Sequence, residues 1–186
     1  MTVSIQTADF DLSTEVAALR AADPGVGAVA SFVGCDRDRN DGSGVSAMEL
    51  EHYPGMTERS IEDMIDAAHA RFDIIGARVV HRVGLLQALD QIVMVAVTSA
   101  HRGQSYQACE FLMDYLKTQA PFWKKEQTAA GAHWVDARES DDSAMRKWGL
   151  VSSNASIAAT ISKGSAMRPS PASPLSAISP LLGPMK

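Results

Sequence analysis

Cysteine is scarce in this chain of 186 residues: only Cys35 and Cys109 occur, far apart and in no Cys-x-x-Cys pair. That excludes a disulfide-built scaffold and a cysteine-ligated zinc site. The five histidines, His52, His69, His81, His101 and His133, show no metal-ligand spacing, so no metal ion is expected. Long apolar runs are missing as well. Ser, Pro and Gly repeatedly break the C-terminal Leu and Ile residues, and no stretch approaches the ~20 residues of a membrane span. The start, Met1-Thr-Val-Ser-Ile-Gln-Thr-Ala-Asp9, has neither the basic beginning nor the apolar core of a secretory signal. A soluble protein of the reducing cytoplasm is therefore expected, with no membrane partner. Positive charge is in deficit, 17 Lys+Arg against 22 Asp+Glu for a net charge of −5, which argues against a broad basic surface for nucleic acid.

What is present suits one domain with an appendage. A short helix is expected over residues 14–22 with Ser13 as its cap, followed by a strand over 26–33. The Asp/Asn/Gly/Ser run from Asp36 to Gly44 reads as a loop before a strand near 45–52. Thr57 is expected to open a helix in which Ile61, Met64, Ile65 and Ala68 share one buried face at i, i+3, i+4 and i+7 spacing. Strands follow over 77–83 and 91–99, then a helix over 103–118 that Pro121 ends. Residues 122–128 and 132–137 read as a hairpin, and Ser140 is expected to cap a last helix ending near Trp148. This order predicts an α+β fold with a mainly antiparallel sheet and flanking helices. Residues 1–149 form the predicted domain. From Leu150 onward the Ser/Ala/Pro-rich composition, without an aromatic residue, predicts a disordered tail over 150–186.

Gly25-Val-Gly-Ala-Val-Ala30 superficially matches a dinucleotide fingerprint, but a helix precedes it and a β-rich run follows, the reverse of what that motif needs. Cys109 lies on the apolar stripe of its helix and reads as a packed thiol. Cys35 borders the charged run Asp36-Arg-Asp-Arg39 and reads as a non-catalytic thiol. His69 and His81 read as surface or satisfied structural histidines. The notable concentration is cationic: His101, Arg102, Lys117, Lys124 and Lys125 lie on or beside one predicted helix. His101-Arg102 falls at a strand-to-helix junction, where free N–H groups and the helix dipole favour anions; a phosphate contact and a surface salt bridge both remain open for Arg102. Lys117 complements the dipole at the other end. In a strand Lys124 and Lys125 point to opposite faces, so one of them at most enters a given pocket.

Five strings in order, Leu50-Glu-His-Tyr-Pro-Gly-Met56, Thr98-Ser-Ala-His-Arg102, Met113-Asp-Tyr-Leu-Lys117, Ala120-Pro-Phe-Trp-Lys124 and Ala137-Arg-Glu-Ser140, resemble the family of large, catalytic subunits of molybdopterin synthase. The resemblance runs from about Val3 to Trp148. It implies an α/β-hammerhead fold, a central homodimer and a two-plus-two heterotetramer with a small ubiquitin-like subunit. The C-terminal Gly-Gly of that subunit carries a thiocarboxylate, whose sulfur passes in two rounds to cyclic pyranopterin monophosphate and forms the dithiolene of molybdopterin. No cofactor is implied. By the same resemblance Lys117 and Lys124 are the catalytic lysines. Arg37, His101, Arg102 and Lys125 match pocket positions or their neighbours, as do Glu126 and Arg138, with Cys35 and Asp36 beside Arg37. An ammonium near other cations can shuttle protons, and Arg or protonated His can hold a phosphate and stabilise oxyanions. The chain departs from the family's usual uncharged residue before the loop arginine: it reads Gly34-Cys-Asp-Arg37, placing Asp36 where it can pair with Arg37.

Two other functions compete with sulfur transfer: a non-catalytic module binding a ubiquitin-like Gly-Gly tail, and a hydrolase of a small phosphate ester. The second lacks a nucleophile or metal set in the sequence. The composition after Leu150 offers little burial to offset ordering entropy. Truncation after Gly149 is expected to leave folding and activity nearly intact, checked by melting temperature and turnover; a large drop in either shows that the tail packs.

Overall fold

Strand β7 (Gln91–Ser99) organises the fold, because Val93 through Ser99 are all buried and such a run needs cover on both faces. The computed structural model describes residues 2–37, 39–40, 43–128, 131–135 and 147–149. The chain divides into Met1–Val151 and Ser152–Lys186, and every described residue lies in the first unit. In chain order the elements are β1 (Val3–Gln6), α1 (Leu12–Ala21), β2 (Ala28–Cys35), β3 (Arg39–Asn40), β4 (Ser43–His52), α2 (Met56–Arg71), β5 (Gly76–Arg82), β6 (Gly84–Leu86), β7, α3 (Arg102–Gln119), β8 (Phe122–Thr128) and β9 (Gly131–Val135).

They form two sheets. The first has the order β1-β5-β7-β2, antiparallel except for the β1–β5 pair. In the second, β4 pairs with β8 on one side and β6 on the other, β8 continues to β9, and β3 folds back on the start of β4. This is the expected α+β arrangement with mainly antiparallel pairing, distributed over two sheets. Alternation along β5 and β7 splits the first sheet into two faces. Val79, Val93, Val95 and Val97 join Ile61, Met64, Phe111 and Leu112 of α2 and α3. Val80, Met94 and Ala96 face Phe10 and the Leu12, Val16 and Leu19 stripe of α1. A third cluster, Met48, Leu50 and Leu86, fills the inner face of the second sheet, and Ile92 packs against both it and the main core. Near the C-terminal end of the described chain, Trp148 plugs between the large helices, edge-on to Phe72 and Phe111, with its indole N–H donating to Asp114 at 2.8 Å.

Several boundaries differ from expectation for identifiable reasons. Asp11, not Ser13, caps α1: its carboxylate accepts the Thr14 N–H at 2.7 Å, and the helix begins at Leu12. Gly55 at φ 81° precedes α2, and Glu58 reaches back to the Gly55 N–H at 2.6 Å, so Thr57 lies inside the helix and is buried. β3 and β6 are too short to leave a periodic pattern; β3 arises within the Asp36–Gly44 run read as a loop. The β8–β9 hairpin is present, with Lys124 opposite Val135. The helix expected from Ser140, apart from its end near Trp148, and the tail after Leu150 lie outside the described residues. No helix among the described residues is long and apolar enough to cross a membrane.

The buried thiol of Cys109 donates to the Val95 carbonyl, and burial pushes its pKa up to about 11, as suits a packed cysteine. His81 is buried and donates from Nδ1 to the Arg82 carbonyl at 2.8 Å. Desolvation, aided by nearby His52 and opposed by that hydrogen bond, lowers its pKa from 6.5 to about 4. A depressed histidine lets the unfolded chain bind the proton first, so stability falls as pH drops from 6.5 toward 4 and the loss levels off below that. Between pH 7 and pH 5 this group is expected to remove roughly 2 kcal/mol. Urea midpoints at the two pH values check it: His81→Phe, which keeps an aromatic ring but no proton, is expected to show a visibly smaller change.

Candidate functional site

Helix α3 carries cations at both ends. At its start His101 is extended (φ −129°, ψ 134°) and makes no side-chain capping bond, and the first turn holds no acidic residue. His101 and Arg102 are exposed beside the positive end of the helix dipole, an arrangement suited to an anion. Their backbone is firmly placed. Ser99 Oγ donates to the His101 carbonyl at 2.8 Å, Ser105 Oγ donates to the Arg102 carbonyl at 3.0 Å, and the Gly27 N–H donates to the Ser99 carbonyl at 3.1 Å. A Cβ on Gly27 would stand 2.3 Å from the Ala100 carbonyl oxygen, so only glycine lets β2 begin this close to the junction.

At the far end Lys117 is exposed in the last turn. The chain then reverses: Ala120 is extended (φ −72°, ψ 131°), as a residue before proline should be, and the Phe122 N–H closes a three-residue turn on the Ala120 carbonyl at 2.9 Å. β8 follows. Lys124 lies opposite Leu50 and Phe122 opposite His52, which puts both on the inner face of the second sheet. Trp123 and Lys125 take the outer face, where Lys125 lies 3.6 Å from Glu49 in a half-exposed pair. The two lysines thus part as alternation requires.

The register of the first sheet locates the remaining candidates. Gly34 of β2 pairs with Val93 of β7, which pairs with His81 of β5, and the His81 ring stacks on Phe122 at 3.8 Å between centroids and 16° between planes. Cys35, Asp36 and Arg37 therefore leave β2 at the end of the sheet where α3 turns into β8. Ala28 pairs with Ser99 at the opposite end, so His101 and Arg102 belong there. About 22 Å of helix axis separates Arg102 from Lys117, at ~1.5 Å per residue. The cations that the sequence groups around one helix accordingly form two sets within a chain: Arg37, Lys117 and Lys124 toward one end, His101 and Arg102 at the other. Arg37, His101, Arg102 and Lys117 make no ion pair with another described residue.

Asp36 is buried, and its carboxylate accepts the backbone N–H of Arg37 at 2.9 Å, while the Arg37 side chain is exposed. Cys35 is an exposed free thiol where the β2–β7 register shifts. Glu126 pairs by backbone with Met48 and His133, its side chain lying outside the described residues, as does all of Arg138. Sequence reasoning missed Thr57, His81 and Phe122, which converge on the reversal between Lys117 and Lys124. Thr57 Oγ donates to the Pro121 carbonyl at 3.2 Å. Such contacts join residues far apart in the chain and leave no local signal.

Comparison with known proteins identifies the relatives of this chain. A family model described as MoaE protein matches residues 5–119. A molybdopterin synthase catalytic subunit from Ralstonia nicotianae is 64% identical over 157 residues, covering 84% of this chain and 89% of that one. The chain belongs to the MoaE family. Among solved members, the molybdopterin biosynthesis MoaE protein from Burkholderia ambifaria superposes with a TM-score of 0.71 and 58% identity, over 80% of this chain and 98% of that one. Molybdopterin synthase from Staphylococcus aureus gives a TM-score of 0.67 at 29% identity, over 72% of this chain and 96% of that one. The hammerhead arrangement is thus the family's fold.

Within this MoaE chain the turn under Arg37 holds a strained residue. The Leu89 N–H donates to the Asp36 carbonyl at 3.0 Å, and the Asp36 N–H to the Asp90 carbonyl at 2.9 Å. Leu89 has φ 75° and is 84% exposed, so it bears a left-handed backbone with little packing in return. Leu89→Gly is expected to raise stability by about 1 kcal/mol without disturbing Asp36, read as a higher denaturation midpoint at unchanged m-value.

Proposed function

We propose that this chain is the catalytic subunit of a molybdopterin synthase and a sulfurtransferase. Its substrates are the C-terminal thiocarboxylate of a small ubiquitin-like subunit and cyclic pyranopterin monophosphate, and its product is the dithiolene of molybdopterin. The observation that carries the reading is the placement of Lys117 and Lys124 on either side of one tight reversal, with Lys125 turned away toward Glu49, in a chain of this family. Lys124 on a half-buried inner face and Lys117 at an exposed helix end can flank an extended Gly-Gly tail. Their ammonium groups offset the negative charge of the thiocarboxylate and of the phosphate, and supply or take up protons as sulfur changes partner. Arg37, leaving β2 at the same end, is suited to the phosphate.

His101 and Arg102 join such a site only from another copy of the chain, because one α3 keeps them a helix length from Lys117. A homodimer flanked by two small subunits supplies that second copy. The name of the Ralstonia relative, a catalytic subunit, presupposes a partner. Both cysteines are free thiols, in keeping with a reducing cytoplasm, and Cys35 is exposed. The partner's thiocarboxylate is the sulfur source in this reading, not Cys35.

Lys117→Ala and Lys124→Ala are each expected to cut turnover by ~10²–10⁴ while the fold persists, the usual worth of a positioned acid or base. Lys125→Ala is expected to have a much smaller effect. The measurement is dithiolene product formed from pterin precursor with saturating thiocarboxylated small subunit. Near-normal turnover in Lys117→Ala, with partner binding retained, would favour a non-catalytic module that docks the Gly-Gly tail.

A further inference from the structure

The reversal between Lys117 and Lys124 turns on Ala120, Pro121 and Phe122. Pro121 has no N–H to give, Ala120 is held out of the helix by the following proline, and the Phe122 N–H closes the turn on the Ala120 carbonyl. Two contacts from distant parts of the chain reach it. From the start of α2, Thr57 Oγ donates to the Pro121 carbonyl at 3.2 Å and accepts the Tyr53 N–H at 3.0 Å, so its hydroxyl is used in both senses while fully buried. From the end of β5, the His81 ring lies flat on Phe122 at 3.8 Å, its own orientation fixed by the bond from Nδ1 to the Arg82 carbonyl. Phe122 and Lys124 project from the same face of β8, two residues apart.

We propose that Thr57 and His81 are positioning residues for Lys124, gripping the α3–β8 reversal from two sides so that Lys124 keeps its place relative to Lys117. The inference rests on the reading of Lys124 as catalytic. Burying a hydroxyl and an imidazole is costly unless their bonds are made, and an apolar residue would fill either place more cheaply. Both converge on three residues, Ala120 to Phe122, whose conformation sets where Lys124 emerges. A displacement of about 1 Å at such a group can cost up to ~10²-fold in rate.

The test uses the full chain with saturating thiocarboxylated small subunit. Thr57→Val, which removes the hydroxyl and keeps the shape, is expected to lower kcat about tenfold with KM for the pterin within about twofold, and Thr57→Ser to restore it. In a Lys124→Ala background Thr57→Val is expected to add nothing, since a positioning residue has no further effect once the group it places is gone. Wild-type kcat in folded Thr57→Val, or the same loss in both backgrounds, overturns the proposal. Near-normal turnover in Lys124→Ala alone overturns instead the assignment beneath it. If circular dichroism shows Thr57→Val unfolded, His81→Leu and His81→Phe repeat the test: loss of kcat in the first and its retention in the second support the grip, and equal kcat in the two overturns it.

Discussion

Burial of β7 on both faces is the constraint from which the rest follows. A strand with Val93, Val95 and Val97 toward one side and Met94 and Ala96 toward the other must be roofed twice, and α1 covers one face while α2 and α3 cover the other. Its two neighbours, β5 and β2, are held in register by pairing that runs unbroken from Ala28 to Gly34 of β2 and from Gly76 to His81 of β5. Because α3 leaves directly from the end of β7, the register of the sheet decides which side chains share an end of the molecule. Burying aliphatic and aromatic side chains such as Val95, Phe111 and Leu112 is worth roughly 1.5–3 kcal/mol each, far more than any surface ion pair here. Positions of the exposed cations are therefore set by apolar contacts in which the cations take no part.

The electrostatics supports this division. Arg78 is paired with Glu15 at 2.8 Å and Arg82 lies 3.5 Å from Asp9, ties from β5 to α1 and to the segment that leads into it. Lys147 pairs with Glu110 beside the Trp148 plug. The exposed ends of α3 and the loop after β2 present Arg37, His101, Arg102 and Lys117 without such partners among the described residues. In a chain of net negative charge, exposed cations gathered at a few places can create a local field without making the whole surface attractive to polyanions.

Much of this was legible in the sequence. Ile61, Met64, Ile65 and Ala68 predicted the inner face of α2, and all four are buried. Alternation through Phe122–Lys125 predicted the parting of Lys124 from Lys125, and the register with β4 has that form. Caps were less legible: Ser13 was the expected cap of α1, whereas Asp11 holds that place and Leu12, the first helical residue, packs against the sheet. Least legible were relations across the fold. The helix over 103–118 already sets His101 and Lys117 at opposite ends, but nothing local to Thr57 or His81 reports that both reach the turn after α3. Periodicity speaks about faces of an element, whereas these facts concern which elements meet.

The one parallel pair in the first sheet bears on how the protein is made. Val3 pairs with Val79, and β1 has no other strand neighbour among the described residues. β5 and β7, by contrast, are close in sequence and can pair soon after they appear. On the ribosome the first strand must wait, solvent-exposed, until β5 has emerged, and its docking closes the longest loop in that sheet. β1 is thus synthesised before its partner and secured late, so the edge of β5 stays open to mispairing while the central strands are built.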